Sequence, residues 1–367
     1  SVNGSLGICN PRASQSKAIT FSLDRSISEG RSWSKTLILI LIFNNIYMKQ
    51  KKILVFGASG QIGRHLIRKL TRNNYTVTAV TRNLHKSGYI LKTQGNAGYI
   101  DIVETNIFDL KKIRNLISQT DICINLIGIL YETDKINSFR NIHTIFPSEI
   151  SKICKEFNIQ QLVHLSALGI EQANDSQYAK SKLNAEINIK KNFPSATILK
   201  PSIVYSINDN FTTSFMKLLN ILPFFPIYHK GKTKFMPIHC SDLVEIIYQV
   251  VSKKIISTTI ECIGPELISF EEILKRLTKL IEKKRLLIPI PYFFGKLSAK
   301  FFEIFPKPLI TIDQINLLKY DNISSGKYKT NYDIGVPSRR MFDVEVEKYA
   351  FMWKAEGQYS TKKYKID

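Results

Sequence analysis

The stretch ILVFGASGQIG, residues 53–63, decides the fold. Its first four residues form an uninterrupted apolar run, which is typical of a short strand buried on both faces. Three glycines follow at intervals of three residues, and an amphipathic segment continues from Gln61 to Thr71. The stretch therefore predicts a strand, a tight turn and a helix, the opening unit of an alternating α/β sheet.

The glycine turn also predicts a binding site. Glycines suit a tight turn, a close backbone approach to a pyrophosphate and close packing of helix on strand, and the helix N-terminus attracts an anion. The spacing Gly-x-x-Gly-x-x-Gly differs from the dehydrogenase pattern Gly-x-Gly-x-x-Gly and is weak alone, but its place between strand and helix strengthens it. A purely structural glycine turn is the alternative. The predicted cofactor contacts here are Gly57, Ser59, Gly60, Gln61, Ile62 and Gly63.

Strands and helices alternate beyond this unit, which predicts a doubly wound parallel sheet of the Rossmann type. Prolines interrupt the rhythm after residue 200, and a late apolar run at 259–263 has the character of a strand returning to the main sheet. We therefore expect an interleaved, smaller C-terminal domain. The predicted divisions are 1–47, 48–222, 223–345 and a basic tail at 346–367. The five further strand candidates are Thr76–Val80, Gly98–Val103, Ile122–Leu126, Leu162–Leu165 and Ala196–Leu199.

The first 47 residues stay outside the predicted fold. They are rich in Ser and Arg, poor in acidic residues, and show no helical or strand periodicity over most of their length. Two interpretations stay open: a targeting segment, or extra sequence that precedes a start at Met48.

Composition limits the functional classes. The 367 residues carry a formal net charge of +22 and are 44% hydrophobic, as expected of a globular chain with an anionic partner, although biased codon usage explains the charge equally well. The five cysteines form no Cys-x-x-Cys pair and the six histidines show no metal-ligand spacing. We therefore predict neither a disulfide scaffold nor a metal site. No apolar run approaches the ~20 residues of a spanning helix.

The second strand predicts cofactor choice. An NAD-selective protein places an acidic residue after this strand, where this chain reads Val80-Thr81-Arg82-Asn83. A guanidinium at Arg82 suits a 2′-phosphate, so the sequence favours NADP(H) over NAD(H). An ordinary surface role for Arg82 is the alternative.

A possible catalytic set follows the fifth strand candidate. Ser166 ends that strand, and Tyr178 and Lys182 follow on a predicted helix, four residues apart and so on one face. Tyr-x-x-x-Lys occurs six times in this lysine-rich chain, so the spacing alone carries no information. The copy at Tyr178 is distinguished by its place a short loop after a buried strand.

These residues resemble the short-chain dehydrogenase/reductases of the extended or atypical kind. The resemblance implies that Ser166, Tyr178 and Lys182 are the catalytic set, with Lys182 also holding the cofactor ribose. It further implies an adenine contact at Asp109, a cofactor wall at Asn125 and Gly128, and a nicotinamide-lining segment at Lys200 and Pro201.

A narrower resemblance rests on INLIG at 124–128, LVHLSA at 162–167 and ILKPS at 198–202. These segments are similar to the NAD(P)-binding accessory subunits of respiratory complex I and their bacterial relatives. That family implies a tightly bound, non-turnover dinucleotide and an accessory or assembly role. The implied partners are complex I subunits or a membrane surface, and the implied location is peripheral, on the matrix or cytoplasmic face of the respiratory membrane. Ser206 departs from the wider family, where glycine is common.

Two other functions stay open. The chain is an active oxidoreductase or epimerase/dehydratase if Tyr178 and Lys182 turn over a substrate. Nucleic-acid binding is a minor third interpretation, because basic and aromatic residues are abundant but no RNA module is recognisable. The aromatic segment Tyr292–Phe305 is predicted to be a buried helix, with docking to a membrane or a membrane protein as the alternative.

Overall fold

The computed structural model describes residues 50–303, 308, 310–354 and 357–359. The strands are β1 (Lys52–Phe56), β2 (Thr76–Thr81), β3 (Ile100–Glu104), β4 (Ile122–Asn125), β5 (Gln161–Leu165), β6 (Thr197–Pro201), β7 (Val204–Tyr205), β8 (Phe224–Ile227), β9 (Lys234–Phe235), β10 (Ile238–His239), β11 (Thr258–Cys262), β12 (Ile268–Ser269), β13 (Leu286–Pro289) and β14 (Lys329–Thr330).

The helices are α1 (Gln61–Arg72), α2 (Leu84–Lys92), α3 (Leu110–Ser118), α4 (Phe146–Glu156), α5 (Gln177–Asn192), α6 (Thr212–Ile221), α7 (Cys240–Ser252), α8 (Phe270–Leu280), α9 (Tyr292–Phe302), α10 (Ile312–Leu317) and α11 (Phe342–Ala350). A π-helix at Arg140–Ile145 precedes α4, and short 3₁₀ turns lie at His229–Gly231 and Phe351–Trp353.

The central sheet has eight parallel strands in the order β14-β11-β6-β5-β4-β1-β2-β3. This order confirms the predicted doubly wound parallel sheet. Two strands extend it beyond the six that the alternation predicted: β11, which overlaps the late run at 259–263, and β14, which the sequence analysis did not predict. β11 pairs with β6 from Thr258 opposite Thr197 to Cys262 opposite Pro201, and β14 adds at the edge.

The strand order creates a crevice between β1 and β4. The chain runs outward from β1 through β2 to β3 and then returns to the other side of β1 to form β4. The loops after β1 and β4 therefore leave the sheet in opposite directions at its carboxyl edge. Parallel sheets bind their ligands at such a switch point.

Helices cover both faces of the sheet, as continuous apolar strands require. One apolar core joins the sheet to α1 and α7, and it includes Leu66, Ile67 and Leu70 of α1. A second core on the opposite face joins the sheet to α3, α4 and α5, with Ile113 and Ile189 among its members. Burial against two helical layers holds the carboxyl edge in a fixed position beneath the crevice.

The C-terminal region adds three small two-stranded sheets, which pair β7 with β10, β8 with β13 and β9 with β12. A third, aromatic core lies among α6, α8 and α11, and it contains Tyr205, Phe270, Phe342 and Trp353. Helix α11 continues through residue 346, where the tail was predicted to begin. The domain boundaries themselves stay predictions.

The aromatic helix α9 is not buried at every aromatic position. Phe293 and Phe294 are 70% and 58% exposed, so the expectation of a wholly buried helix is wrong at these two positions. Residues 304–307 of the predicted segment lie outside the described residues, as do the N-terminal segment 1–47 and the lysines of the tail beyond 360. No helix in the described ranges is both long and apolar enough to cross a membrane.

Candidate dinucleotide site

The turn between β1 and α1 accepts glycine and little else. Gly57 has a φ of +79°, and a Cβ there lies 3.0 Å from the backbone carbon of Leu126 after β4. A Cβ on Gly63 lies 2.4 Å from the carbonyl oxygen of Gly57. The turn therefore packs directly against the start of the β4 loop, at the switch point. This tight cradle fits the pyrophosphate contact that the sequence predicts.

The N-terminus of α1 lies at the glycine turn. Gly60 occupies the N-cap position without a side-chain cap, and no acidic residue lies in the first turn. The first backbone amides of a helix have no partner within the helix and carry partial positive charge, so they suit an anion. Ser59 is exposed beside the turn, whereas Ile62 packs against the sheet. The side chain of Gln61 instead donates a hydrogen bond from Nε2 to Oγ of Ser206, at 2.6 Å.

Arg82 lies just beyond the end of β2. Its side chain is exposed and makes no ion pair or hydrogen bond within the described residues. The next residue, Asn83, caps α2 by accepting from the amide of Lys86 at 2.8 Å. Glu104 at the end of β3 also fixes this loop by accepting from the amide of Leu84 at 2.7 Å. The guanidinium therefore extends from a well-anchored loop.

Asp109, the predicted adenine contact, has a structural partner. It is the N-cap of α3, and its Oδ1 accepts a hydrogen bond from the amide of Lys112 at 3.0 Å. Like Arg82, it lies on the β2–β3 side of the crevice and is exposed. An adenine contact at Asp109 stays a prediction.

A buried polar cluster lies on the β4–β5 side of the crevice. Asn125 ends β4, and its Oδ1 accepts from the amide of Ile127 at 3.1 Å. This bond orients its Nδ2 toward Nδ1 of His164, at 3.1 Å. Nδ1 of His164 is then the acceptor and Nε2 carries the proton. Nε2 is buried and has no hydrogen-bond partner among the described residues.

Lys182 of α5 lies between this cluster and the β4 loop. A Cβ on Gly128 lies 3.4 Å from its Nζ, so Gly128 leaves the ammonium room. Nζ donates a hydrogen bond to the carbonyl oxygen of Leu165 at 3.1 Å. Burial lowers the pKa of Lys182 to about 8, although the nearby Glu186 acts in the opposite direction. The structure thus places Gly128 beside Lys182 and connects Asn125 to the same region through His164.

His143, which the sequence analysis missed, connects this cluster to Tyr178. It lies in the π-helix, a rare form that often marks functional sites. Its Nε2 accepts from the amide of Ile129 at 2.9 Å, so its proton is on Nδ1, 3.0 Å from Oγ of Ser181. Ser181 in turn donates to the carbonyl oxygen of Tyr178 at 2.7 Å. Burial, together with the charge of Lys182, lowers the pKa of His143 to about 2.

The ring of Tyr178 packs against two other rings. It meets His143 edge to face at 5.3 Å and Phe139 at 5.9 Å. Asp313 of α10 accepts hydrogen bonds from the amides of Gln177 and Tyr178, at 2.6 and 3.2 Å, and thereby anchors the start of α5. Burial and then the charge of Asp313 raise the pKa of Tyr178 to about 12. This environment disfavours the ionised tyrosine.

Ser166 and Lys200 belong to a different, buried charge network. The Ser166 hydroxyl donates to Oε1 of Glu186 at 2.5 Å, and Nζ of Lys200 lies 3.2 Å from the same oxygen. Lys200 also pairs with Glu171 and lies 5.2 Å from the ring of Tyr328. Ser166, Glu186 and Lys200 are each at most 4% exposed. Ser166 and Lys200, the two predicted site residues in this network, therefore have their polar groups paired within the protein.

Pro201 completes the predicted set at the end of β6. Its carbonyl oxygen accepts from the amide of Leu168 at 2.9 Å, so the segment after β5 is tied to β6. The following Ser202 donates to Oδ1 of Asn322 at 2.6 Å, which joins β6 to the C-terminal region. The segment is thus fixed in position at the end of β6.

The site residues that the sequence did not predict differ in whether a local sequence pattern could have indicated them. Glu186 lies four residues after Lys182 and eight after Tyr178, so helical spacing alone places it on the same face. His143 and Asp313 have no such local signal, because they reach the site from distant segments. Among the residues that the structure covers, no three His, Cys, Asp or Glu side chains gather as metal ligands.

Comparison with known families gives one match over more than half of the chain. Residues 53–257 match the NAD dependent epimerase/dehydratase family. Among curated proteins, the chain is 29% identical over 286 residues to the mitochondrial NADH dehydrogenase [ubiquinone] 1 alpha subcomplex subunit 9 of Dictyostelium discoideum, covering 77% of this chain and 79% of the relative. It is 24% identical over 284 residues to the mitochondrial NADH-ubiquinone oxidoreductase 40 kDa subunit of Neurospora crassa, covering 77% and 74%.

Solved structures share the fold. A UDP-glucuronic acid 4-epimerase from Bacillus cereus superposes with a TM-score of 0.61 at 18% identity, covering 82% of this chain and 98% of that one. A dTDP-glucose 4,6-dehydratase from Bacillus anthracis gives a TM-score of 0.61 at 15% identity, covering 83% and 96%.

Proposed function

Because the chain belongs to the NAD dependent epimerase/dehydratase family, we propose that it binds a nicotinamide dinucleotide across the carboxyl edge of β1 and β4. The glycine cradle and the uncapped N-terminus of α1 support a pyrophosphate position there. The buried cluster around Lys182 supports a ribose position on the β4–β5 side. NADP(H) is favoured over NAD(H), since Arg82 is exposed and unpaired among the described residues beyond β2.

The same protein does not turn its dinucleotide over. The observation that carries this proposal is the hydrogen bond from Ser166 to Glu186, inside a network closed by Lys200. A hydroxyl that donates its proton to a buried carboxylate is withheld from a substrate carbonyl. The raised pKa of Tyr178 acts in the same direction, because a general acid or base works best with a pKa near the operating pH.

The role that follows is structural. We propose an accessory or assembly subunit of a respiratory NADH:quinone oxidoreductase, in line with the names of the Dictyostelium and Neurospora relatives. Its partners are subunits of that complex or the adjoining membrane surface, and its place is peripheral, on the matrix or cytoplasmic face. A bound dinucleotide then stabilises the native state by mass action, by an amount set by its concentration relative to its Kd.

A second candidate, an active short-chain oxidoreductase or epimerase/dehydratase, is favoured by one feature. Tyr178 and Lys182 share a face of α5, and the Tyr178 hydroxyl makes no hydrogen bond to the residues that the structure covers. A tyrosine and a neighbouring ammonium in this arrangement can pass a proton to a substrate.

Tyr178→Phe separates the two candidates. For the accessory role we expect the variant to retain NADPH during purification and to restore respiratory complex assembly in cells that lack the protein. For the enzyme we expect substrate-dependent NADPH oxidation in the native protein and its loss in the variant. Mass spectrometry under gentle conditions and respiration measurements provide the readouts. A variant that retains NADPH but fails to restore assembly contradicts the accessory proposal.

Arg82→Asp tests the cofactor preference. We expect weaker binding of NADPH and little change for NADH, because the guanidinium pairs with the 2′-phosphate. Lys92→Asp, the same charge change at the far end of α2, is the matched control. Titration of both nucleotides by fluorescence gives the two affinities. An unchanged NADPH-to-NADH ratio in Arg82→Asp rejects the preference.

A further inference from the structure

One hydrogen bond joins the phosphate turn to a distant loop. Gln61 is the first residue of α1, and its Nε2 donates to Oγ of Ser206, 145 residues later, at 2.6 Å. Ser206 follows β7 directly and is buried.

The Ser206 end of this bond is rigid. The amide of Ser206 donates to Oδ2 of the buried Asp209 at 3.2 Å, and Oδ1 of Asp209 accepts from the amide of Thr213 at 2.9 Å. The hydroxyl of Thr212 also donates to Asp209 at 2.6 Å and lies 2.7 Å from the hydroxyl of Tyr349 in the aromatic core. Ser206 is thus anchored to the C-terminal region through the start of α6.

The Gln61–Ser206 hydrogen bond lies beside the turn proposed to hold the pyrophosphate. β7 pairs with β10, which leads directly into α7, and α7 packs on α1 in the first apolar core. The first turn of α1 and the segment after β7 thus face each other beside the phosphate turn. A pyrophosphate held at this turn lies next to the bond that joins these two walls.

We infer that the Gln61–Ser206 hydrogen bond is a clasp that slows the release of the bound dinucleotide. This inference rests on the proposed function and adds to it the residues that determine retention. With the clasp made, the Gln61 side chain connects the two walls, so the walls separate less often and the dinucleotide leaves more slowly. Gln61 and Ser206 act on the ligand by positioning these walls.

The test is a double-mutant cycle on the dissociation rate of NADPH. The native protein, Gln61→Ala, Ser206→Ala and the double variant are loaded with NADPH, and the fluorescence of NADPH is followed after excess NADP⁺ is added. We expect each single variant to release NADPH about fivefold faster, the size of one net hydrogen bond. We expect the double variant to be no faster than the singles, because both remove one shared bond.

Tyr248→Phe is the matched control. The Tyr248 hydroxyl donates to Oδ1 of Asn73 at 3.0 Å and so bridges α7 to the other end of α1. Its loss is expected to leave the release rate unchanged. Unchanged rates in Gln61→Ala and Ser206→Ala, or rate factors that multiply in the double variant, overturn the clasp and leave the proposed function standing. A native protein that neither retains nor binds NADPH or NADH overturns both.

Discussion

The polar groups on the two sides of the crevice differ in whether they have partners within the protein. On the β1–β2 side, the amides of the first turn of α1 are uncapped by any side chain and Arg82 is unpaired within the described residues. On the β5–β6 side, Ser166 and Lys200 are satisfied by a buried carboxylate, Glu186. The first side presents polar groups without side-chain partners among the described residues, whereas the polar groups of the second are held in an internal network.

Under the proposed function, this difference separates binding from catalysis within one fold. A backbone turn that binds phosphate relies on its own amides and needs little from side chains. A proton-transfer set needs each member placed to exchange its proton with the substrate, and under the proposed function the hydrogen bond to Glu186 removes Ser166 from such a set.

Removing the cation from the buried network should have the largest effect. Lys200→Met leaves Glu186 and Glu171 without their shared cation, and breaking a buried pair in this way costs about 3–5 kcal/mol of unfolding free energy. Urea unfolding measures this loss of unfolding free energy. Lys152→Met is the matched control, because Lys152 is 57% exposed and pairs with Glu149 three residues earlier, for a loss of about 0.5 kcal/mol or less. Equal losses in the two variants would falsify the structural role of the network.

Crowding the phosphate turn should destabilise the protein and weaken dinucleotide binding on the β1–β2 side of the crevice. In Gly63→Ala the new Cβ meets the Gly57 carbonyl at 2.4 Å, so α1 has to move away from the turn. We expect a loss of roughly 1–3 kcal/mol in unfolding free energy and a loss of NADPH binding. Gly88→Ala is the control, because its Cβ meets a flexible Leu84 side chain inside α2 and alanine favours the helix. Normal NADPH affinity in Gly63→Ala contradicts the proposed pyrophosphate position.

The buried histidine next to Tyr178 should make stability depend on pH. The pKa of His143 is about 2 in the native protein and about 6.5 when unfolded, so below pH 6.5 the unfolded chain binds the proton that the native state excludes. Stability therefore falls as the pH falls, by about 2 kcal/mol between pH 7.5 and 5 from this group. The pKa of His164 is also lowered, by burial, and adds to the fall.

His143→Gln isolates the contribution of this residue. Glutamine does not titrate, so the difference in stability between the native protein and the variant should narrow by about 2 kcal/mol on going from pH 7.5 to 5. Thermal or urea unfolding at a series of pH values gives the comparison. Parallel stability curves would show that folding does not lower the pKa of His143.

The smallest effect concerns Asp109. As the N-cap of α3, it should cost about 1 kcal/mol of stability when replaced by alanine, and almost nothing when replaced by asparagine, which also caps. An adenine contact that requires the carboxylate predicts weaker NADPH binding in both variants. Unfolding and nucleotide titration of Asp109→Ala and Asp109→Asn therefore separate the two roles.

Local pattern was enough for much of the fold. The apolar strands and their alternation with helices predicted the parallel sheet because strands buried on both faces require that composition. The glycine spacing predicted the turn because a Cβ at Gly57 or Gly63 meets backbone atoms. The strand at 258–262 had a local signal as well, but the two-residue β14 had none, since so short a strand is defined by its pairing alone.

The sequence by itself determined the parallel sheet, the glycine turn at the first strand and the residue types available around the crevice, because these depend on neighbouring residues along the chain. Only the tertiary structure shows which polar groups already have partners within the protein. Glu186 accepts a hydrogen bond from the Ser166 hydroxyl, Asp313 accepts from the amides at the start of α5, and Ser206 accepts from the side chain of Gln61. Hydrogen bonds and ion pairs form between groups that are close in space, and the partners of these three groups lie 20 to 145 residues away along the chain.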